Sequence, residues 1–217
     1  MIQRLHLSLI LVIGAALWGA SLLLQGVAVE PSWARPLSGV TAILLGLIGC
    51  FDLFLWRIPI LQGWLVKRPI LRGTWAATLV SNWVNPETGE KVPPIPAYVV
   101  IRQTYSMLSI RLFTEESRSV MLGAEIIRDP DGIYSLAGVY RNDPKSEYRH
   151  RSEIHNGAIL LNVIGSPVTR LEGQYWTDRI TVGSMNLTRR NKKLADDFDT
   201  AKELMGDDPE QGSSTDQ

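Results

Sequence analysis

Three short stretches hold side chains whose types and spacing could do chemistry. Thr114, Ser117 and Ser119 form one. Tyr140 and Asn142 form the second, and Tyr175, Thr177 and Arg179 the third. In an extended chain, residues two apart point to one face. Ser117 therefore shares a side with Ser119, Tyr140 with Asn142, and Tyr175 with Thr177 and Arg179, while Thr114 ends the run before Ser117. Arginine and hydroxyl groups hydrogen-bond phosphate oxygens, and a tyrosine ring stacks on a base. The set suits a phosphorylated or nucleotide-like ligand. From alternation alone, a solvated rim with no ligand is the simpler account of the same residues.

Catalytic sets are missing by type and spacing. The sequence has no Gly-x-Ser-x-Gly elbow, no phosphate loop and no dinucleotide fingerprint. His155 lies in a strand-like run and could act as a base, but no nucleophile is placed beside it. Carboxylates of the middle region fall mainly in turns, at Glu87, Glu115, Glu116, Asp129 and Asp131. Three histidines (His6, His150, His155) and one cysteine, Cys50, make no metal-ligand set and no intramolecular disulfide. The expectation is a binding protein, not an enzyme, with no catalytic residue, metal or cofactor.

Short runs rich in Val, Ile, Thr and Tyr alternate with turn residues from Arg72 onward, the pattern of strands. Eight are expected: 72–81, 97–104, 106–114, 117–128, 132–142, 154–164, 170–177 and 180–189. Turn signals separate several of them: Asn-Pro-Glu-Thr-Gly at 85–89, Asp-Pro-Asp-Gly at 129–132, Asn-Asp-Pro at 142–144 and Gly-Ser-Pro at 165–167. No connection has room for a crossover helix, so the strands pair antiparallel. Closing eight such strands into an up-and-down barrel hides their edges and buries one face. A sandwich is the alternative. Alternation without bulges puts Ser117, Ser119, Met121 and Gly123 on one face of the fourth strand. It does the same for Tyr134, Leu136, Gly138, Tyr140 and Asn142 on the fifth, and for Gly173, Tyr175 and Thr177 on the seventh. Trp75 is expected to floor the barrel.

The first 57 residues differ in kind. Leu7 to Val29 is 23 residues without a charge, and between Arg35 and Arg57 only Asp52 is charged. Each run is long enough for a transmembrane helix across a ~30 Å hydrocarbon core. The first exceeds the apolar stretch of a signal peptide. Glu30 to Pro36 is a short connection, so residues 1–57 read as a two-helix hairpin, with Trp18, Trp33, Trp56 and Trp64 as candidate interface anchors. Arg57, Lys67, Arg68 and Arg72 follow the second span. The positive-inside rule then puts both chain ends, and the whole strand-rich domain, in the cytoplasm. Asp52 is expected near enough to the membrane edge to reach headgroups, with a partner helix as the alternative. Residues 58–71 read as an interfacial linker.

Charge is segregated. Residues 57–194 hold 19 basic and 12 acidic residues, whereas residues 195–217 hold one base and eight acids. A basic middle domain favours an anionic partner: nucleotide, headgroup or nucleic acid. Residues 191–217 read as a short helix (194–205) and a disordered acidic tail.

Taken in order, these features resemble a known family. The two-span start is followed by Arg-Gly-Thr-Trp at 72–75, then Ile101 and Gln103, Thr114-x-x-Ser117-x-Ser119 and Tyr140-x-Asn142-x-Pro144. His155-x-Gly157 with Leu161, Leu171-x-Gly173-x-Tyr175-x-Thr177-x-Arg179 and Gly183 complete the series. The series resembles the two-transmembrane, β-strand-rich effectors of CBASS antiphage systems. That resemblance implies a barrel at 72–190 that senses a cyclic di- or trinucleotide made by a partner nucleotidyltransferase, with no nucleic acid polymer as partner. It implies that the ligand drives homo-oligomerisation and that the assembled helices disrupt the lipid bilayer, ending in abortive infection. Arg179 would then contact a phosphate. Thr114, Ser117, Ser119, Asn142 and Thr177 would supply hydrogen bonds, and Tyr140 or Tyr175 would stack on a base. Gly-x-Trp at the barrel entrance is also similar to lipocalins, which leaves an anchored carrier or scaffold for a small apolar ligand as the alternative.

Overall fold

β-Branched runs separated by Gly, Pro, Asn and Asp pair with their sequence neighbours here, and the last strand returns to the first. The computed structural model describes residues 2–24, 26, 31–85 and 88–206. Its strands are β1 (Gly73–Ser81), β2 (Ile95–Gln103), β3 (Leu108–Phe113), β4 (Ser117–Arg128), β5 (Tyr134–Pro144), β6 (His155–Ile164), β7 (Arg170–Thr177) and β8 (Val182–Asn191). They form a closed antiparallel barrel in the order β1-β2-β3-β4-β5-β6-β7-β8. The up-and-down barrel expected from alternation is the observed architecture, and the sandwich is not.

Three local expectations fail for identifiable reasons. A register shift between Met121 and Gly123 bulges β4, pairing Met121 with Tyr140 but Gly123 with Val139. A bulge inverts the faces beyond it. Ala124 and Ile126 therefore pack against the core, and Gly123 is exposed on the outer side. The Asn-Asp-Pro signal at 142–144 is not a turn but the end of β5, with Pro144 opposite Ser117. Pairing of β5 with β6 stops at Asn142. Pro144 therefore has no ladder to donate to on that side, where proline is tolerated. β8 begins at Val182 because Ile180 occupies a turn with φ 61 and is 94% exposed.

The chain divides into two compact units: Met1–Lys67 with Thr104–Met107, and Arg68–Gln103 with Leu108–Gln217. In the second unit the core is built from alternate inward residues, including Leu71, Trp75, Ile101, Ile110, Leu136, Leu161, Leu171 and Leu187. Trp75 is fully buried, donates Nε1–H to Leu71 O at 2.8 Å and lies 5.2 Å beneath the Arg190 guanidinium. Gln103 ties the entering segment to the same end. Its Oε1 accepts from Leu71 N (2.7 Å) and Arg72 N (3.2 Å), and its Nε2 donates to Pro69 O (2.9 Å). This end of the barrel is filled, as expected of Trp75.

A second buried cluster lies outside the barrel wall, where Ala195, Phe198 and Ala201 cover Tyr98 and Val100. The helix there, α3, runs over Phe198–Met205, shorter than expected at its start. Asp197 caps it, accepting from Thr200 N at 2.7 Å. Residues before the cap are held instead by Thr74, whose hydroxyl accepts from Ala195 N (3.0 Å) and donates to Lys193 O (2.9 Å). The acidic tail at 207–217 lies outside the described residues.

In the first unit, helices α1 (Ile2–Leu24) and α2 (Pro31–Leu53) occupy the two apolar runs. Among the described residues no helix is long and apolar enough to cross a membrane. Two 3-10 turns, Leu55–Arg57 and Pro59–Leu61, follow. Asp52 is buried. Its Oδ1 accepts from Ser106 N at 2.8 Å and from the Thr104 hydroxyl at 3.4 Å. Trp56 is fully buried beside Tyr105, so it is no interface anchor, whereas Trp18 and Trp64 are exposed.

Candidate functional site

The end of the barrel opposite Trp75 is open. It is framed by the β1–β2, β3–β4, β5–β6 and β7–β8 connections and leads into a cavity of about 410 Å³. Small-molecule sites fall at roughly 300–1,000 Å³. Leu79, Val99, Ile110, Leu136, Leu161 and Met185 line its depth, and polar groups line its mouth. All eight residues singled out from the sequence border this one cavity: Thr114, Ser117, Ser119, Tyr140, Asn142, Tyr175, Thr177 and Arg179.

Cross-strand register explains the convergence. Ser119 pairs with Asn142, which pairs with His155. One row deeper, Met121, Tyr140, Gly157 and Thr177 are successive neighbours. Tyr175 pairs with Gly183. Glycine opposite each tyrosine lets the ring lie along the wall. A Cβ built on Gly157 would come within 2.5 Å of the Tyr140 ring and 2.6 Å of Trp176 O. One on Gly183 would come within 2.5 Å of the Tyr175 ring and 2.4 Å of Val80 O. Any larger residue at either position would push a ring into the cavity or part the strands.

The hydroxyls divide by use. Thr114 Oγ1 accepts from Ser117 N at 3.0 Å and shares a 3.0 Å bond with Ser117 Oγ, so both close the β3–β4 turn. Thr177 Oγ1 accepts from Thr181 N and Arg179 N, each at 3.3 Å, and lies 2.6 Å from Thr181 Oγ1, closing the β7–β8 turn. Ser119 donates to Asn142 Oδ1 at 2.9 Å, which leaves the Asn142 amide hydrogens for another acceptor. Arg179 is exposed and donates to Ser152 Oγ at 3.4 Å. Among the described residues it has no carboxylate within ion-pair distance.

Electrostatics follow from burial. The Tyr140 phenol is pushed up to about 12, first by burial and then by Tyr175, with Arg179 opposing. It is a neutral hydrogen-bonding group at any physiological pH. His155 is held below its ordinary value, mainly by burial and in part by Arg179.

Sequence reasoning missed Arg151, Ser152, Trp83, Thr181 and the cavity-facing place of His155. Arg151 and Ser152 lie in the β5–β6 connection, where no alternation exists to assign a face. Arg151 reaches the mouth while pairing with Glu116 of the β3–β4 turn.

A closed barrel with one filled end, one open end and a cationic, aromatic mouth defines a small-molecule-binding β-barrel domain. Residues 66–189 match the family model described as Cap15, cyclic dinucleotide receptor domain. CD-NTase-associated protein 15 of Yersinia aleksiciae is 30% identical over 161 residues, 73% of this chain and 73% of the relative. The chain belongs to the Cap15 family.

Proposed function

We propose that the barrel binds a cyclic nucleotide and that the chain is a membrane effector of a CBASS antiphage system. The observation that carries this reading is the convergence of two arginines and two tyrosine rings on one cavity in a member of the Cap15 family. A cyclic dinucleotide has two phosphates and two bases. Arg179 and Arg151 offer forked donors to phosphate oxygens, and Tyr140 and Tyr175 offer ring faces to bases. The barrel acts as a sensor and catalyses no reaction. The two apolar runs at the N-terminus anchor it in the inner membrane as a multi-pass protein, with the N-terminus and barrel cytoplasmic by charge bias. Ligand binding drives oligomerisation, and the gathered helices disrupt the bilayer and end infection by killing the host cell.

The aliphatic depth of the cavity favours a second reading, an anchored carrier for a small apolar ligand. Thermal unfolding of the full chain in detergent separates the two. A ligand at a hundredfold excess over its dissociation constant adds about 2.7 kcal/mol of stability. A selective rise in melting temperature with one member of a cyclic di- and trinucleotide panel supports the sensor. A rise with fatty acids or other apolar compounds alone supports the carrier.

A further inference from the structure

His155 is a buried titratable side chain facing the cavity that the ligand-binding set above leaves without a task. Its ring is fixed from behind: Nδ1 lies 2.9 Å from Glu153 O. A carbonyl only accepts, so the ring proton of the neutral imidazole sits on Nδ1, and Nε2 is left as an acceptor. Among the described residues nothing donates to Nε2. The register partner of His155 is Asn142. Serine 119 occupies Asn142 Oδ1, so the amide presents its N–H groups. Two adjacent strands thus set an acceptor beside a donor in the wall of one cavity.

That pair complements the edge of a nucleobase, where an N–H lies next to a ring nitrogen or carbonyl. It does not complement phosphate, which has only acceptors and would meet the Nε2 lone pair unfavourably. We propose that His155 and Asn142 read the Watson–Crick edge of one base, His155 Nε2 accepting its N–H and Asn142 Nδ2 donating to its neighbouring acceptor. The assignment rests on the cyclic-nucleotide reading of the cavity. It makes His155 a specificity-determining residue and places the phosphates elsewhere, toward Arg179 and Arg151.

The charged groups that act on His155 are Arg179 and Asp178 on the β7–β8 turn, with the Glu153 carbonyl before β6 as hydrogen-bond partner and the Tyr140 phenol one row deeper on the adjacent β5. Burial and Arg179 lower the imidazole's proton affinity, Asp178 and the carbonyl raise it, and burial dominates. The ring is therefore neutral at and above its ordinary value of 6.5. Base reading is complete there and lost as pH falls through the lowered value, when Nε2 becomes a donor.

The test is calorimetric titration of the full chain in detergent with cyclic di-AMP, cyclic di-GMP, cyclic di-UMP and mixed cyclic dinucleotides. For the dinucleotide that wild type binds, His155→Phe should lose affinity about tenfold or more, the worth of one hydrogen bond at ~1.4 kcal/mol. His155→Gln, with an amide oxygen to accept, should recover part of it. Wild-type affinity should fall on acidification, and that of His155→Gln should change less. Melting curves check that each variant is folded, and the wild-type pH profile needs no variant. Equal affinity of His155→Phe and wild type, or an affinity that rises on acidification, overturns the base-reading role while leaving the sensor intact. No binding of any cyclic dinucleotide by folded wild type overturns the sensor and this role together.

Discussion

Arg179 and Tyr140 border the same cavity but answer to different physics. The Arg179 guanidinium is exposed and makes one long bond to Ser152, so its removal should change stability by no more than ~0.5 kcal/mol. Toward an anionic ligand it would form a charge-assisted hydrogen bond, worth about 1.5–3 kcal/mol. Arg179→Ala should weaken cyclic dinucleotide binding by roughly ten- to a hundredfold, with an unchanged melting temperature. Calorimetric titration beside a melting curve checks both halves, and unchanged affinity would remove the phosphate contact. Tyr140 is governed by burial. Its folded value of about 12 stands above the ordinary 10.0, so the folded state holds its proton where the unfolded state releases it. Its stabilising effect is fully present below pH 10 and lost as pH rises toward 12. Melting temperature against pH should show a steeper alkaline fall for wild type than for Tyr140→Phe. Parallel falls would mean that the phenol is not desolvated.

Among the elements, the C-terminal segment depends on one side chain of β1. The fully buried Thr74 hydroxyl both accepts from Ala195 N and donates to Lys193 O. Thr74→Val keeps the shape but leaves a buried N–H unpaired, a cost of about 1–3 kcal/mol. Limited proteolysis should then cut within residues 192–206 before it cuts the barrel. Simultaneous loss of both would show that α3 is integral to the barrel's own stability. The same elements show what can be read from sequence. Eight strands and their closure were legible because alternation and turn residues are local signals, and β4 and β7 matched in both bounds. The bulge after Met121 was not legible, since it is set by what β5 places opposite and not by β4 alone. Six of the eight site residues fell on one cavity because they lie on strand ends whose inward face alternation identifies, and Thr114 and Arg179 border it from the turns next to those ends. His155 was visible as a motif, yet its role needs the Asn142 register and the Glu153 carbonyl. Arg151 and the Asp52 acceptor depend on loops and turns distant in sequence, which carry no periodic signal.

At the scale of the whole molecule, ligand recognition and membrane action are assigned to different parts of the chain. The barrel unit contains its own core, its filled end and every residue of the cavity. The family match at 66–189 falls almost wholly within it. Binding should therefore survive removal of residues 1–67, with an affinity within a few-fold of the full chain. In the proposed mechanism, action on a bilayer needs the two apolar runs that the truncation deletes. Vesicles of bacterial phospholipid loaded with a self-quenching dye make the comparison direct. Full-length protein reconstituted into them should release dye only after the bound cyclic dinucleotide is added. The barrel fragment with the same ligand should release none. Sedimentation of the full chain in detergent should show larger species with ligand than without. Release that ignores the ligand would separate the helices from the sensor and sink the effector mechanism. Release by the fragment alone would move the membrane activity into the barrel, where the exposed apolar side chains Val139, Leu160 and Trp176 of its outer wall would become the first positions to change.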